Sequence, residues 1–216
     1  VYADLDQKQL SSIEAADNIQ SFFKQTLSQK YPDVDIVVTG EADTSTKSIS
    51  SLRSAFIVAV IGIYFLLVLL FNSFSQPLFV LSAVPFGIIG VIWAYFFHDQ
   101  PFSMPAIMGF IGLSGVVVND SLIMVDYINR TSGSANSKKD FLNSVTAGAR
   151  TRLRPVLLTT FTTVLGILPT VYGWGGTDFV LVPLAMSLGY GLAFATVITL
   201  FLIPCLVMIH RDVMGL

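Results

Sequence analysis

Asn119 and Asp120 stand side by side inside the apolar run 104–127, where the next charged residue is Asp126. A carboxylate well inside a membrane-length helix is expensive to insert, so such groups face a bundle interior and are either paired or functional. Two readings of Asp120 stay open at this level. It belongs to an ion or proton pathway, or it is a wetted or Arg-paired group about 10 Å from the helix end at Tyr127, at 1.5 Å per residue. Asp126, seven residues after Asn119, reads as interfacial. Thr159, Thr160, Thr162 and Thr163 form a second polar cluster. They could build a hydroxyl relay, or each could bond back to the carbonyl of its own preceding turn. Arg152 and Arg154 are topology anchors or partners in a salt bridge under the bundle. His98 lies in a turn and His210 at a helix end, and Cys205 is the single cysteine. No metal cluster, disulfide framework or nucleophile–base pair follows from them. There is no phosphate-cradling G-x-x-x-x-G-K-[ST] loop. The reading is therefore of a chain that is not an enzyme and takes no cofactor or metal.

The elements that must position these groups are set by composition. Of 216 residues, 53% are apolar and only 12% charged, with mean hydropathy +0.72. A soluble domain is about one quarter charged, so the expected class is a mainly α membrane protein. A net charge of −2 gives no basic footprint for nucleic acid. Charge is also unevenly placed. Residues 1–47 hold eight acids and four lysines, whereas residues 48–216 hold eight Lys/Arg and six acids. The division predicts a soluble piece at 1–47 and a membrane domain at 48–216.

In the first piece, Val1, Ala3 and Leu5 alternate with polar residues as a short strand. Ser11 and Glu14 have the form of a capping box. Ala16, Ile19, Phe23 and Leu27 follow at helical spacing. Pro32 disfavours helix at Tyr31, and Val34, Ile36 and Val38 alternate as a second strand. This strand–helix–strand unit is too small to bury a core alone. It needs a partner or is the end of a larger α/β domain. The chain thus reads as a segment of a longer polypeptide.

Five segments are long and apolar enough for a bilayer, which needs about 20 residues. They are 54–74, 78–97, 104–127, 155–174 and 179–209. Pro155 opens the fourth, at a position where its missing N–H costs nothing. The fifth exceeds one bilayer thickness, so tilt or an interfacial start before Pro183 is expected. Gly112, Gly115 and Asn119 form a small-residue stripe that permits close helix approach. Between the third and fourth segments lie Arg130, Lys138, Lys139, Arg150, Arg152 and Arg154. The turns at 98–103 and 173–178 hold neither Lys nor Arg. The positive-inside rule then puts 128–154 in the cytoplasm and residues 1–50 outside. Ser137 and Asp140 cap a short amphipathic helix within that loop.

Several strings, taken together, resemble the C-terminal part of resistance-nodulation-division (RND) efflux transporters. They are Gly109 through Arg130, Arg152-Leu-Arg-Pro through Thr160, and Gly166-Ile-Leu-Pro169, with Asn72-Ser-Phe74 and Val84-Pro-Phe-Gly87. The resemblance spans essentially the whole chain in consecutive order. It implies that residues 1–47 end a periplasmic porter subdomain of α/β type. It also implies that the five segments are the last five of twelve helices, the N-terminal part of the transporter lying outside this chain.

The same resemblance implies a bacterial inner-membrane homotrimer that works with a periplasmic adaptor and an outer-membrane channel. Protons drive export of a small-molecule substrate, as in multidrug resistance. In the multidrug members two acids on the fourth helix pair with a Lys on the tenth, and a Thr on the eleventh takes part. Here the Lys position falls on Asn119, the Thr position on Thr159, and the Arg opening the Arg-Leu-Arg-Pro string is Arg152. With Asn119 in place of Lys, either Asp120 joins the network or Asn119 only hydrogen-bonds the carboxylates. Two other functions stay open beside export: an RND-like auxiliary subunit of protein export, and a non-transporting membrane scaffold.

Overall fold

The computed structural model describes residues 12–28, 30, 41–132 and 137–214. The two strands expected at 1–5 and 34–38 lie outside these residues. Among the described residues the secondary structure is helical, and five helical stretches are long and apolar enough to cross a membrane.

The expected first helix is present as α1, Ser12–Phe22, continued by one π-type turn, Phe23–Leu27. That turn closes with the amide of Ser28 donating to the Phe23 carbonyl at 2.9 Å. Helix α2, Glu41–Phe71, starts well before its apolar part and ends one turn earlier than the sequence pattern predicted. Asn72 stops it in the left-handed conformation, φ 49°, which Asn tolerates through its short polar side chain. The second segment is divided into α3, Gln76–Leu81, and α4, Ala83–His98. The division falls at Ser82, where Pro85 has no amide to continue the ladder from Leu81. Asp99, also left-handed at φ 49°, caps α4.

Helix α5, Met104–Ser132, is the third segment and runs five residues past the predicted end. The expectation of a separate amphipathic helix followed by a span starting at Pro155 is corrected. Both belong to one helix, α6, Lys138–Val171, which continues through Pro155. Two contacts hold the junction together. Phe141 and Val145 are buried in the core, and Gly148 packs on Tyr127 and Ile128 of α5. Helix α7, Leu181–Met214, is unbroken. Pro183 sits in its first turn, where amides have no intrahelical acceptor in any case. Its first turn is capped by Asp178, one carboxylate oxygen of which accepts from the amides of Val180 and Leu181 at 2.8 Å each. The Leu181 and Val180 amides hold this carboxyl below the usual carboxylate range, so it stays ionised through neutral pH.

α7 is the hub, packing on α4, α5 and α6, while α2 contacts α1, α3 and α5. Leu113 and Ile203, both almost wholly buried, mark two core clusters along its length. Lipid tails are as apolar as leucine, so such cores are stabilised by close packing rather than by escape from water. The closest packing occurs at glycines. A Cβ on Gly109 would lie 2.6 Å from the Leu184 carbonyl oxygen and 2.7 Å from the Ser187 Cβ. Gly191 faces Leu113 and Val91 with similarly little room. The stripe predicted for close approach is not the one used within this chain. Gly112 meets only the tip of Leu188, at 3.6 Å, and Gly115 has nothing within 4 Å. On α2, Val58, Leu66 and Leu69 are mostly exposed, a surface suited to hydrocarbon.

Candidate functional site

Two antiparallel helices, α5 and α6, carry the sequence-predicted residues. Their register is fixed by Gly148 against Ile128 and by Arg152, whose guanidinium lies 4.5 Å from the Tyr127 ring centroid. Moving along α5 from Tyr127 to Asp120, and along α6 from Arg152 to Thr159, covers seven residues on each. Thr159 therefore stands at about the level of Asn119 and Asp120, about 10 Å along the bundle from the Arg152–Tyr127 contact.

Asn119 is exposed on the outer face of α5 and Asp120 is half-buried. Neither makes a hydrogen bond or ion pair with another described residue. The Arg-paired alternative for Asp120 does not occur among the described residues. Arg130 pairs with Asp126 at 2.9 Å in the i, i+4 relation, and Arg152 stacks on Tyr127. Arg152 is half-buried, and its buried Nε has no acceptor. No hydrogen bond joins any two of Asn119, Asp120, Thr159 and Arg152.

The four threonines bond back along their own helix. Thr159 Oγ1 donates to the Val156 carbonyl at 2.9 Å, Thr162 Oγ1 to that of Leu158 at 2.9 Å, and Thr163 Oγ1 to that of Thr159 at 2.8 Å. Thr160 faces inward instead. It donates to Val156 and lies 2.9 Å from the hydroxyl of Thr196 on α7. The cluster is thus no continuous hydroxyl relay, and its one cross-helix link is Thr160–Thr196. Thr196, one of two threonines on α7, gave no sequence signal for that link.

Sequence reasoning also missed a polar chain at the other end of α6. The hydroxyls of Tyr172 and Tyr190 lie 2.9 Å apart, and Tyr190 reaches His98 Nε2 at 3.1 Å. At the opposite end of the bundle Gln76 and Asn129 exchange side-chain amide hydrogen bonds, the shorter being 2.7 Å. Lys138 pairs with Asp212 there at 2.8 Å, and Arg211 covers the Phe141 ring. Among the described residues no group of His, Cys, Asp or Glu could hold a metal ion.

The sequence pattern of the AcrB/AcrD/AcrF family matches residues 3–211. The cobalt-zinc-cadmium resistance protein CzcA of Cupriavidus metallidurans is 35% identical over 149 residues, which are 69% of this chain and 14% of that protein. The multidrug resistance protein MdtC of Pantoea ananatis is 30% identical over 166 residues, 76% of this chain and 16% of that protein. A crystal structure of a heavy metal efflux pump superposes with TM-score 0.70 at 25% identity, covering 89% of this chain and 19% of the pump. The chain thus spans under one fifth of the length of each of these proteins.

Proposed function

The chain belongs to the AcrB/AcrD/AcrF family of resistance-nodulation-division efflux transporters, and from that premise we propose that it is the C-terminal membrane part of a proton-driven exporter of small molecules. The observation that carries the reading is the placement of Asn119 and Asp120. An amide and a carboxylate stand within a membrane-length helix, on a face with no partner among the described residues. Polar groups in that position need partners. The acids of the fourth helix of the family supply them, outside this chain. Asp120, Asn119 and Thr159 then form this chain's half of the proton site. Arg152, about two turns towards the basic end, orients it through Tyr127.

In the same reading residues 1–47 end a periplasmic porter subdomain and residues 48–216 are the transmembrane domain. The complete protein is a homotrimer in the bacterial inner membrane, joined to a periplasmic adaptor and an outer-membrane channel. Its substrates are of the metal-cation or drug classes named for its relatives.

Two experiments test this. In proteoliposomes of the complete transporter with an imposed pH gradient, adding a transported metal cation or drug should accelerate proton flux. Substrate-independent flux would count against coupling. Thr159→Val should slow that flux several-fold, whereas Thr162→Val, on the outer helix face, should leave it unchanged. For topology, single cysteines at Asp43 and Asp99 in a Cys205→Ala background should react with an impermeant thiol reagent from outside, and one at Ser134 should not. Outside labelling at Ser134 would reverse the orientation.

A further inference from the structure

His98, Tyr190 and Tyr172 take no part in the proposed relay, which lies near the middle and opposite end of α5. His98 closes α4, Tyr172 follows the end of α6, and Tyr190 lies nine residues into α7. His98 Nδ1 lies 2.9 Å from the Ala94 carbonyl oxygen. A carbonyl can only accept, so Nδ1 carries the proton. In the neutral ring Nε2 is then an acceptor. Tyr190 must donate to it across 3.1 Å, which uses its only proton, and Tyr172 must donate to Tyr190 across 2.9 Å. The three groups form one oriented chain, Tyr172 to Tyr190 to His98. Its outer hydroxyl belongs to a side chain that is 55% exposed, and its inner end is closed by Ala94.

We propose that this chain is a proton-binding site that reports the pH of the aqueous phase at its end of the bundle. A hydronium ion gives a proton to the Tyr172 oxygen. The former Tyr172 proton passes to Tyr190, and the former Tyr190 proton passes to Nε2. Each tyrosine stays neutral, water is released, and the imidazole becomes imidazolium. Every hydrogen bond then runs the opposite way: Nε2–H donates to Tyr190, and Tyr190 donates to Tyr172. Because Nδ1–H is held by a backbone carbonyl, the proton has no onward path. The site stores a proton and does not conduct one. Histidine is the side chain that ordinarily titrates between about pH 5 and 8.

The surroundings suit a switch. Of the titratable groups near this end, α4 contributes Tyr95 and the adjacent Asp99, α6 contributes Tyr172, α7 contributes Tyr190, and the α6–α7 turn contributes Asp178. Asp178 is held by the α7 amides, and Tyr95 donates to the Pro183 carbonyl at 2.6 Å. The last turn of α4, with its exposed carbonyls, accommodates a cation. Tyr190 also borders a small apolar crevice between α6 and α7, lined by Val164, Ile167, Val171 and Gly189.

The test uses the complete transporter in lipid bilayers, with nitrogen-labelled histidine read by solid-state NMR between about pH 8 and pH 5. A His98→Gln variant assigns the signal. At the alkaline end His98 should carry its proton on Nδ1, the reverse of the tautomer that free histidine favours, and it should become doubly protonated at the acid end. Tyr190→Phe removes the partner of Nε2 in both states, but only the protonated ring loses a charge-assisted hydrogen bond, the stronger of the two. It should therefore move the conversion to lower pH. Protonation on Nε2 at the alkaline end, no conversion across the range, or an unmoved conversion in Tyr190→Phe would each overturn the proposal.

Discussion

Asp120→Asn in the complete transporter should abolish export while leaving expression and oligomeric assembly intact. Asn keeps the shape of Asp and loses only the ability to release and take up a proton. Folding should suffer little, because a carboxylate in hydrocarbon is itself costly and Asp120 makes no ion pair with the described residues that the substitution would break. Removing a proton-transfer group typically costs on the order of 100-fold or more in rate. Proton flux in vesicles and substrate accumulation in cells should therefore both fall to background. Asp120→Glu should recover part of the activity, and Asn119→Ala should be milder than Asp120→Asn if Asn119 supplies one hydrogen bond, worth roughly 0.6–2 kcal/mol in a membrane. Unchanged flux in Asp120→Asn would return Asp120 to a structural role and leave proton transfer to other helices.

Gly109→Val should be the most damaging substitution for folding. The new Cβ would meet the Leu184 carbonyl at 2.6 Å and the Leu184 Cα at 3.2 Å. Both are backbone atoms of α7 and cannot rotate away. The helices must separate along a contact that is maintained by close packing alone. Overpacking a tight core costs about 1–3 kcal/mol even where side chains can adjust, so roughly 3 kcal/mol or more is expected here. Yield after detergent extraction and the thermal midpoint by fluorescence-detected size exclusion should both drop sharply. Gly62→Val is the control, since a Cβ there meets nothing within 4 Å. Equal stability of the two variants would mean that α5 and α7 are not in such close contact.

The five spans were legible in the sequence because a bilayer leaves the backbone almost no alternative to helix, so hydropathy alone locates them. Their ends were less legible. Pro155 carried the signal of a helix start, yet α6 runs through it, because Phe141, Val145 and Gly148 are already packed on the bundle before the proline is reached. Such packing is a tertiary fact with no local signature. Thr159, Thr162 and Thr163 behaved as their chemistry dictates, since a hydroxyl on a helix always has its own carbonyls within reach. The predicted glycine stripe is not the one used within this chain, for a related reason. Spacing shows where close approach is possible, while the neighbour's shape decides whether Gly109 or Gly115 is used. The His98–Tyr190–Tyr172 chain had no signal at all, since His98 and Tyr190 are 92 residues apart in sequence. The relay candidates Asn119, Asp120, Thr159 and Arg152 rest on motif and register, and their test is kinetic.

The position of α7 as the shared packing partner of α4, α5 and α6 also bears on biosynthesis. A ribosome completes those three helices before it makes the one that binds them together. From Ser132, where α5 ends, to Met214, where α7 ends, there are about 80 residues, or roughly 4–16 s of translation at 5–20 residues per second. For that interval α5, with Asp120 in its middle, waits in or beside the insertion machinery without its main partner. The quality-control risk of this chain is therefore greatest late in its synthesis, and a premature stop within α7 should be cleared faster than one of equal length lost from the start of α2.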